Sequence, residues 1–238
     1  MSRTMVRFVV EDSFWQLFPE ASIGAVAVRG IDNRANAEAC EALLLAQAER
    51  TAREIGEAEI GALAAVAPWR SAYLAFGVKP SRYKSSIEGL LRSAKAGRLR
   101  SINPLVDLYN TVSLKHQLPC GGEDLGAIVG EIRLTRAMGD EPFVPLGGTE
   151  SEPPPAGAVI YRDDLGAICS CWNWREADRT KLTEATTDAF LCIEALPPAG
   201  AEALRTACDE LARLVAEWLG GKASVVVVDR ELRAIGFG

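Results

Sequence analysis

Two asparagines stand out as side chains that could orient an ester carbonyl or an attacking water molecule, because an amide both donates and accepts hydrogen bonds. Asn110 follows Asp107 by three residues in a helical stretch, so the two share one side of that helix, away from the apolar stripe of Leu105 and Leu108. Simple solvation on the outer side of the helix is the alternative for Asn110. The spacing therefore predicts Asn110 and its neighbour Asp107 as candidate site residues.

The second asparagine lies in the segment Trp172-Asn173-Trp174-Arg175. If this segment is extended, both tryptophans lie on one face and Asn173 and Arg175 on the other. Arg175, Arg179 and the aromatic rings could then bind a phosphate and stack a base. Packing of at least one tryptophan in the core is the alternative.

A glutamate and a glycine-rich turn complete the candidate residues. Glu194 ends the apolar run Ala189–Ile193, so its carboxylate either emerges into solvent or lies at a pocket wall. The run Gly121-Gly122-Glu123-Asp124 predicts a flexible rim whose backbone amides could meet a ligand oxygen.

Other catalytic chemistries find little support in the sequence. The chain has one histidine, His116, so any Ser-His-Asp triad must use it. A thiol–imidazole pair of His116 with Cys120 is a minor alternative, because Pro119 and the end of a helix disfavour it. Cys169 and Cys171 are best explained as small core residues. We predict six reduced cysteines, no metal and no cofactor.

The charge is unevenly distributed along the chain. The formal net charge is -6, but residues 69–118 carry nine basic residues against Glu88 and Asp107, which gives this segment +7 and the remainder -13. Aromatic residues alternate with these cations, as a surface that binds phosphates and stacks bases requires. A solvated basic face is the alternative. The predicted RNA contacts are Arg82, Lys84, Arg92, Arg98 and Arg100.

Composition and periodicity favour one α/β unit over residues 1–238. With 238 residues, 48% of them apolar, the chain has ordinary globular composition and lacks an apolar run long enough to span a membrane, so a cytoplasmic location is expected. The pattern predicts mixed β-sheets packed with flanking helices, of the α+β type. Predicted helices cover 36–60, 68–77, 85–97, 103–117 and 201–219, and predicted strands cover 6–10, 25–29, 127–134, 158–161, 167–172, 189–193 and 224–229.

The run Val106-Asp-Leu-Tyr-Asn110, followed by Pro119 and Asp124, resembles the editing domain of the beta subunit of bacterial phenylalanyl-tRNA synthetase. The family pattern has a histidine two residues after the proline, where this chain has Gly121. Further matches follow in the same order, so that the resemblance covers about residues 70 to 230: Gly139–Glu141, Leu146–Gly148, Val159–Ile160, Asp163–Asp164, Thr183–Thr186 and Phe190–Glu194.

The resemblance implies packed sheets with flanking helices and a pocket for the aminoacylated 3' end of tRNA. By the same match Glu194 corresponds to the acid that recognises the tyrosine hydroxyl. Gly121 and the sequence of residues 171–176, which replaces a glycine-rich stretch of the family, imply an acyl group other than tyrosine or a different ligand altogether.

These observations predict a freestanding RNA-binding protein that hydrolyses misacylated tRNA in trans. An aminoacyl ester is already activated, so an oriented water molecule and donors to the carbonyl suffice. A non-catalytic module that binds tRNA or an amino acid, and a small-molecule hydrolase that does not use RNA, are the alternatives. The predicted catalytic residues are Asn110, Asn173 and Glu194, and the predicted substrate contacts are Asp107, Gly121, Gly122, Glu123, Trp172 and Arg175.

Overall fold

A computed structural model describes residues 6–237, which form ten β-strands and six α-helices. The strands are β1 (Val6–Val10), β2 (Ser22–Arg29), β3 (Cys120–Asp124), β4 (Ile132–Arg136), β5 (Val159–Arg162), β6 (Ala167–Ser170), β7 (Arg175–Glu176), β8 (Asp188–Ala195), β9 (Lys222–Val228) and β10 (Ala234–Phe237). The helices are α1 (Asp12–Trp15), α2 (Ala37–Ile55), α3 (Ala67–Ala75), α4 (Ser86–Lys95), α5 (Pro104–His116) and α6 (Ala201–Leu219), with a 3-10 turn at Ile60–Ala62. This architecture confirms the predicted mixed α/β class.

The larger of two sheets has six strands in the order β10-β1-β4-β5-β6-β7. β1 and β4 are parallel, with Phe8 opposite Ile132, and the other neighbours are antiparallel. The strand predicted over 127–134 begins later, at Ile132. The preceding residues form a loop in which the Val129 N–H donates to the Asp163 carboxylate at 2.9 Å.

The smaller sheet has the order β3-β8-β2-β9 and is covered on both faces. Side chains alternate along β2, so that Ile23 and Ala25 join the core between the two sheets, while Val26 and Val28 pack under α5 and α6. The same alternation on β8 directs Glu194, two residues after Cys192, towards the space between the sheets. This is how an apolar strand carries a buried carboxylate.

The helices that border the site begin where capping residues predict. Ser85 Oγ accepts from the Glu88 N–H at the start of α4, and the Asn103 side chain accepts from the Val106 N–H at the start of α5. The predicted span of α6, 201–219, is confirmed. No helix within residues 6–237 is long and apolar enough to cross a membrane.

The prediction of a flexible rim at Gly121–Asp124 is wrong, because these residues form the edge strand β3. β8 offers a fully hydrogen-bonding partner, with Gly121 opposite Cys192 and Glu123 opposite Phe190. The glycines are compatible with this strand because larger residues would clash. A Cβ at position 122 would lie 2.5 Å from Leu191 Cδ2.

Candidate functional site

A basic cleft of about 520 Å³ lies between α4, the segment 98–102, α5 and Trp174. Its size is within the range of ligand pockets, roughly 300 to 1,000 Å³. The polar groups on its wall are cations, hydroxyls and one amide. They are Lys84, Arg98, Arg100, Ser85, Ser86, Ser93, Ser113 and Asn110.

Asn110 lines this basic cleft and is partly exposed, as expected for a group that contacts a ligand. Asp107, three residues earlier, does not line it. The Asp107 carboxylate is fully buried and accepts from Ser101 Oγ at 2.6 Å and from the Ile102 N–H at 3.1 Å. It therefore fixes the chain before α5, and we assign it no substrate contact.

Three of the five predicted RNA-binding cations, Lys84, Arg98 and Arg100, lie in the wall of the basic cleft. Arg82 is exposed nearby, with its guanidinium 5.2 Å from the centre of the Tyr83 ring. Arg92 lies elsewhere, because its guanidinium binds the buried Glu88 carboxylate at 2.9 Å. The cations at the cleft are thus a subset of the predicted five.

Behind the cleft is a small closed chamber of about 20 Å³ between the two sheets. Cys120 lines both the cleft and the chamber, so one side chain separates the two spaces. Gly121, Gly122, Glu123, Trp172 and Asn173, all predicted as site residues, line the chamber together. The structure therefore gathers these residues behind the basic cleft rather than on its rim.

Asn173 and Glu194 meet in a buried hydrogen-bond network. Glu194 Oε2 accepts from Asn173 Nδ2 at 2.5 Å, and Oε1 accepts from Tyr161 Oη at 2.5 Å and Trp172 Nε1 at 2.6 Å. Asn173 Oδ1 in turn accepts from Tyr73 Oη at 3.0 Å. Both carboxylate oxygens are occupied, so Glu194 shapes the wall of the site rather than facing the cleft.

Burial raises the pKa of Glu194 from 4.5 to about 7, although the hydrogen bonds from Tyr161, Asn173 and Trp172 act in the opposite direction. The group therefore changes protonation near neutral pH.

A second pair of carboxyl groups, Glu123 and Glu176, lines the chamber. Burial, followed by the nearby Glu176 carboxylate, raises the pKa of Glu123 well above its usual range. Burial also raises the pKa of Glu176, while the hydrogen bond with Glu123 lowers it. These directions describe one proton shared between two carboxyl groups and carried by Glu123. Sequence reasoning missed Glu176, since only the pairing of β7 with β6 brings it opposite Cys169.

The extended conformation predicted for residues 172–175 is wrong. Cys171 and Trp172 are in a turn and have positive φ angles of 49° and 65°. Trp172 is consequently fully buried, while Trp174 lies in the wall of the basic cleft, edge-on to Tyr83 at 4.7 Å. The two tryptophans thus serve separate spaces.

The two arginines near this turn differ in their availability. Arg175 is exposed, with its guanidinium 5.2 Å from the centre of the Trp174 ring. Arg179 instead donates to both oxygens of Asp163, at 2.8 and 3.0 Å, which leaves it no role at the cleft.

His116 and Cys120 do not form a catalytic pair. His116 Nε2 lies 2.7 Å from Glu210 Oε2, and burial raises the pKa of the Cys120 thiol well above its usual range. A neutral, buried thiol is a poor nucleophile. The chemistry of the cleft must therefore use amide, hydroxyl and cationic groups.

The model for the B3/4 domain family matches residues 68–220, and the chain belongs to this family, which is found in phenylalanyl-tRNA synthetase beta subunits. This confirms the family resemblance seen in the motif around Asn110. No curated protein matches the sequence.

Among solved structures, the chain is similar to an N-terminal fragment of the phenylalanyl-tRNA synthetase beta-subunit from Pyrococcus horikoshii, with a TM-score of 0.49 and 16% identity. The match covers 97% of this chain and 54% of that one, so the chain spans about half the length of the fragment.

Proposed function

We propose that this protein binds the aminoacylated 3' end of a tRNA in the basic cleft and hydrolyses its ester in trans, acting as one unit over residues 1–238. The observation that carries the proposal is the joint presence of Lys84, Arg98 and Arg100 with the Asn110 amide on one cleft wall. Membership of the B3/4 family, of the synthetase beta-subunit type, supports tRNA as the ligand.

The cleft offers both groups that single-stranded RNA requires. Cations bind the phosphates and release counterions, and an aromatic ring stacks on a base. Trp174 provides the ring, and Arg175 adds a charge beside it. Because the rest of the chain is acidic, the positive segment 69–118 also orients the approaching RNA towards this side of the molecule.

Hydrolysis of an aminoacyl ester needs a positioned water molecule and a donor to the developing oxyanion. In this proposal Asn110 supplies that donor, and the neighbouring ribose hydroxyl of the tRNA assists. Asn173 and Glu194 act as positioning residues, because all their observed hydrogen bonds lie within the buried network. The chain thus uses few groups, as an activated ester permits.

A second candidate function is binding of tRNA without catalysis. The specific observation in its favour is the saturation of the Glu194 carboxylate, which accepts three hydrogen bonds and offers nothing to a substrate. This candidate predicts tRNA binding with no release of amino acid.

The experiment that separates the two is release of labelled amino acid from a panel of correctly and incorrectly charged tRNAs at saturating protein. The proposal expects release from at least one member. Asn110→Ala should slow it by on the order of one hundredfold, as for loss of one oxyanion donor, with unchanged tRNA affinity. Gln16→Ala, which removes an exposed amide outside the cleft, is the control. Binding without release from every charged tRNA would leave only the non-catalytic candidate.

A further inference from the structure

The carboxyl pair in the chamber has an unexplained feature that the proposed reaction does not use. Glu123 is only 4% exposed, and the Oε2 atoms of Glu123 and Glu176 are buried with no hydrogen-bond donor among the described residues. The shared proton links the two carboxyl groups to each other but leaves further lone pairs unused. Since buried acceptors are normally satisfied, the geometry calls for a donor from a ligand.

The pair is also the main source of negative charge on the chamber wall. Arg179, whose charge acts on Glu123, is bound to Asp163 at 2.8 Å and does not neutralise the pair by contact. Burial raises the pKa of each remaining titratable group on the wall, so these groups are neutral. They are Cys120, Cys169, Cys192 and Tyr161.

The size and walls of the chamber favour a compact cation. Its volume of about 20 Å³ admits one group the size of a water molecule, which suits an ammonium and excludes a planar guanidinium. Tyr161, Trp172 and Phe190 line the same space. Aromatic rings attract an ammonium through their negative faces.

The sequence around β3 is adapted to this pair. A Cβ at position 121 would lie 2.6 Å from Glu176 Oε1, so glycine there leaves the carboxylate in place. Position 121 is where the resembled family pattern has a histidine. In this chain the Glu176 carboxyl group fills the space that a side chain at 121 would need.

We propose that the Glu123–Glu176 pair binds a primary ammonium group that enters from the basic cleft past Cys120. The ammonium donates to the two free Oε2 atoms, and the proton between the carboxyl groups passes to solvent. This inference rests on the proposed function, because the aminoacyl group in the cleft would carry the ammonium. The ammonium is either the α-ammonium of the aminoacyl group or the side-chain ammonium of a diamino acid.

Four small probes distinguish these sources by isothermal titration calorimetry with the whole protein. They are the methylamides of lysine, Nα-acetyl-lysine, norleucine and Nα-acetyl-norleucine. A side-chain site binds lysine and Nα-acetyl-lysine methylamides, and an α-ammonium site binds lysine and norleucine methylamides. Either pattern supports the proposal. Equal binding of the uncharged Nα-acetyl-norleucine methylamide, or no binding by any probe, overturns it.

Substitutions then test the assigned residues. Glu123→Gln and Glu176→Gln keep the size and neutral hydrogen-bonding capacity of the side chains, and each should weaken probe binding by about tenfold to one hundredfold, as for loss of a charged hydrogen-bond partner. Glu57→Gln, which changes an exposed carboxylate, is the control and should bind like the parent. Unchanged affinity in both chamber variants would overturn the assignment, and the probe series on the parent remains decisive if either variant fails to fold.

Measurement of tRNA binding on the same samples separates this inference from the proposed function. Salt-dependent tRNA binding without probe binding would remove the ammonium site and leave the cleft assignment intact. Probe binding without tRNA binding would keep the ammonium site and remove RNA as the ligand.

Discussion

The buried Glu194 carboxyl group should make the stability of the protein fall as pH rises through neutrality. Its folded-state pKa of about 7 exceeds its usual value of 4.5, so folding favours the protonated form. The contribution to stability is therefore complete below about pH 4.5 and is lost as pH rises through about 7. A rise from 4.5 to about 7 corresponds to about 3 kcal/mol of unfolding free energy.

Glu194→Gln mimics the protonated group and should remove this dependence. The new amide can donate to Asn173 Oδ1 once the Asn173 amide turns over, and Asn173 Nδ2 then donates to the Tyr73 hydroxyl. Oε1 keeps its hydrogen bonds from Tyr161 and Trp172. The network thus stays satisfied without a buried negative charge.

Urea unfolding of parent and variant at pH values from 5 to 8 measures the effect. We expect similar stability at the acid end, and a variant more stable by about 3 kcal/mol at pH 8. Contributions of Glu123 and Glu176 are common to both proteins and cancel in the difference. Glu57→Gln should follow the parent at every pH. A parent–variant difference that stays constant with pH, or that changes in the opposite direction, would refute the reasoning.

Three further predictions concern the cleft and its supports. Arg98→Glu with Arg100→Glu should lower the salt slope of tRNA binding by roughly 0.7 to 0.9 for each phosphate that the variant no longer binds, and an unchanged slope in a filter-binding titration would exclude these cations. Asp107→Ala should lower unfolding stability by about 1 to 3 kcal/mol, because it leaves the buried partners of the carboxylate unpaired, whereas an unchanged thermal midpoint would contradict that role. Gly121→Ala should displace the Glu176 carboxyl group, and a crystal structure in which Glu176 keeps its position would show that the close approach is not obligatory.

The local elements near the site followed from sequence because their signals are short-range. Ser85 and Asn103 cap the helices they were expected to cap, and the apolar spacing of 201–219 fixed α6. The motif around Asn110 likewise led to the B3/4 family. Such features depend on residues a few positions apart.

The features that escaped prediction depend on pairing between distant segments. Gly121 and Gly122 have low strand propensity, but pairing with β8 overrides it. The turn at Cys171 and Trp172 lets Trp172 reach the core, which no alternation of residue types reveals. The Glu123–Glu176 pair requires two edge strands to meet. Long-range packing therefore determined the chamber, while local patterns indicated the cleft.

The most direct test of the central claim is photo-crosslinking of a tRNA that carries 8-azidoadenosine as its 3'-terminal nucleotide. If the basic cleft holds the acceptor end, mass spectrometry should map the crosslinks to its walls, at Lys84, Ser93, Asn110 or Trp174. Excess unmodified tRNA should abolish them. Crosslinks confined to α6 or β9, on the other side of the smaller sheet from the chamber, would contradict the account.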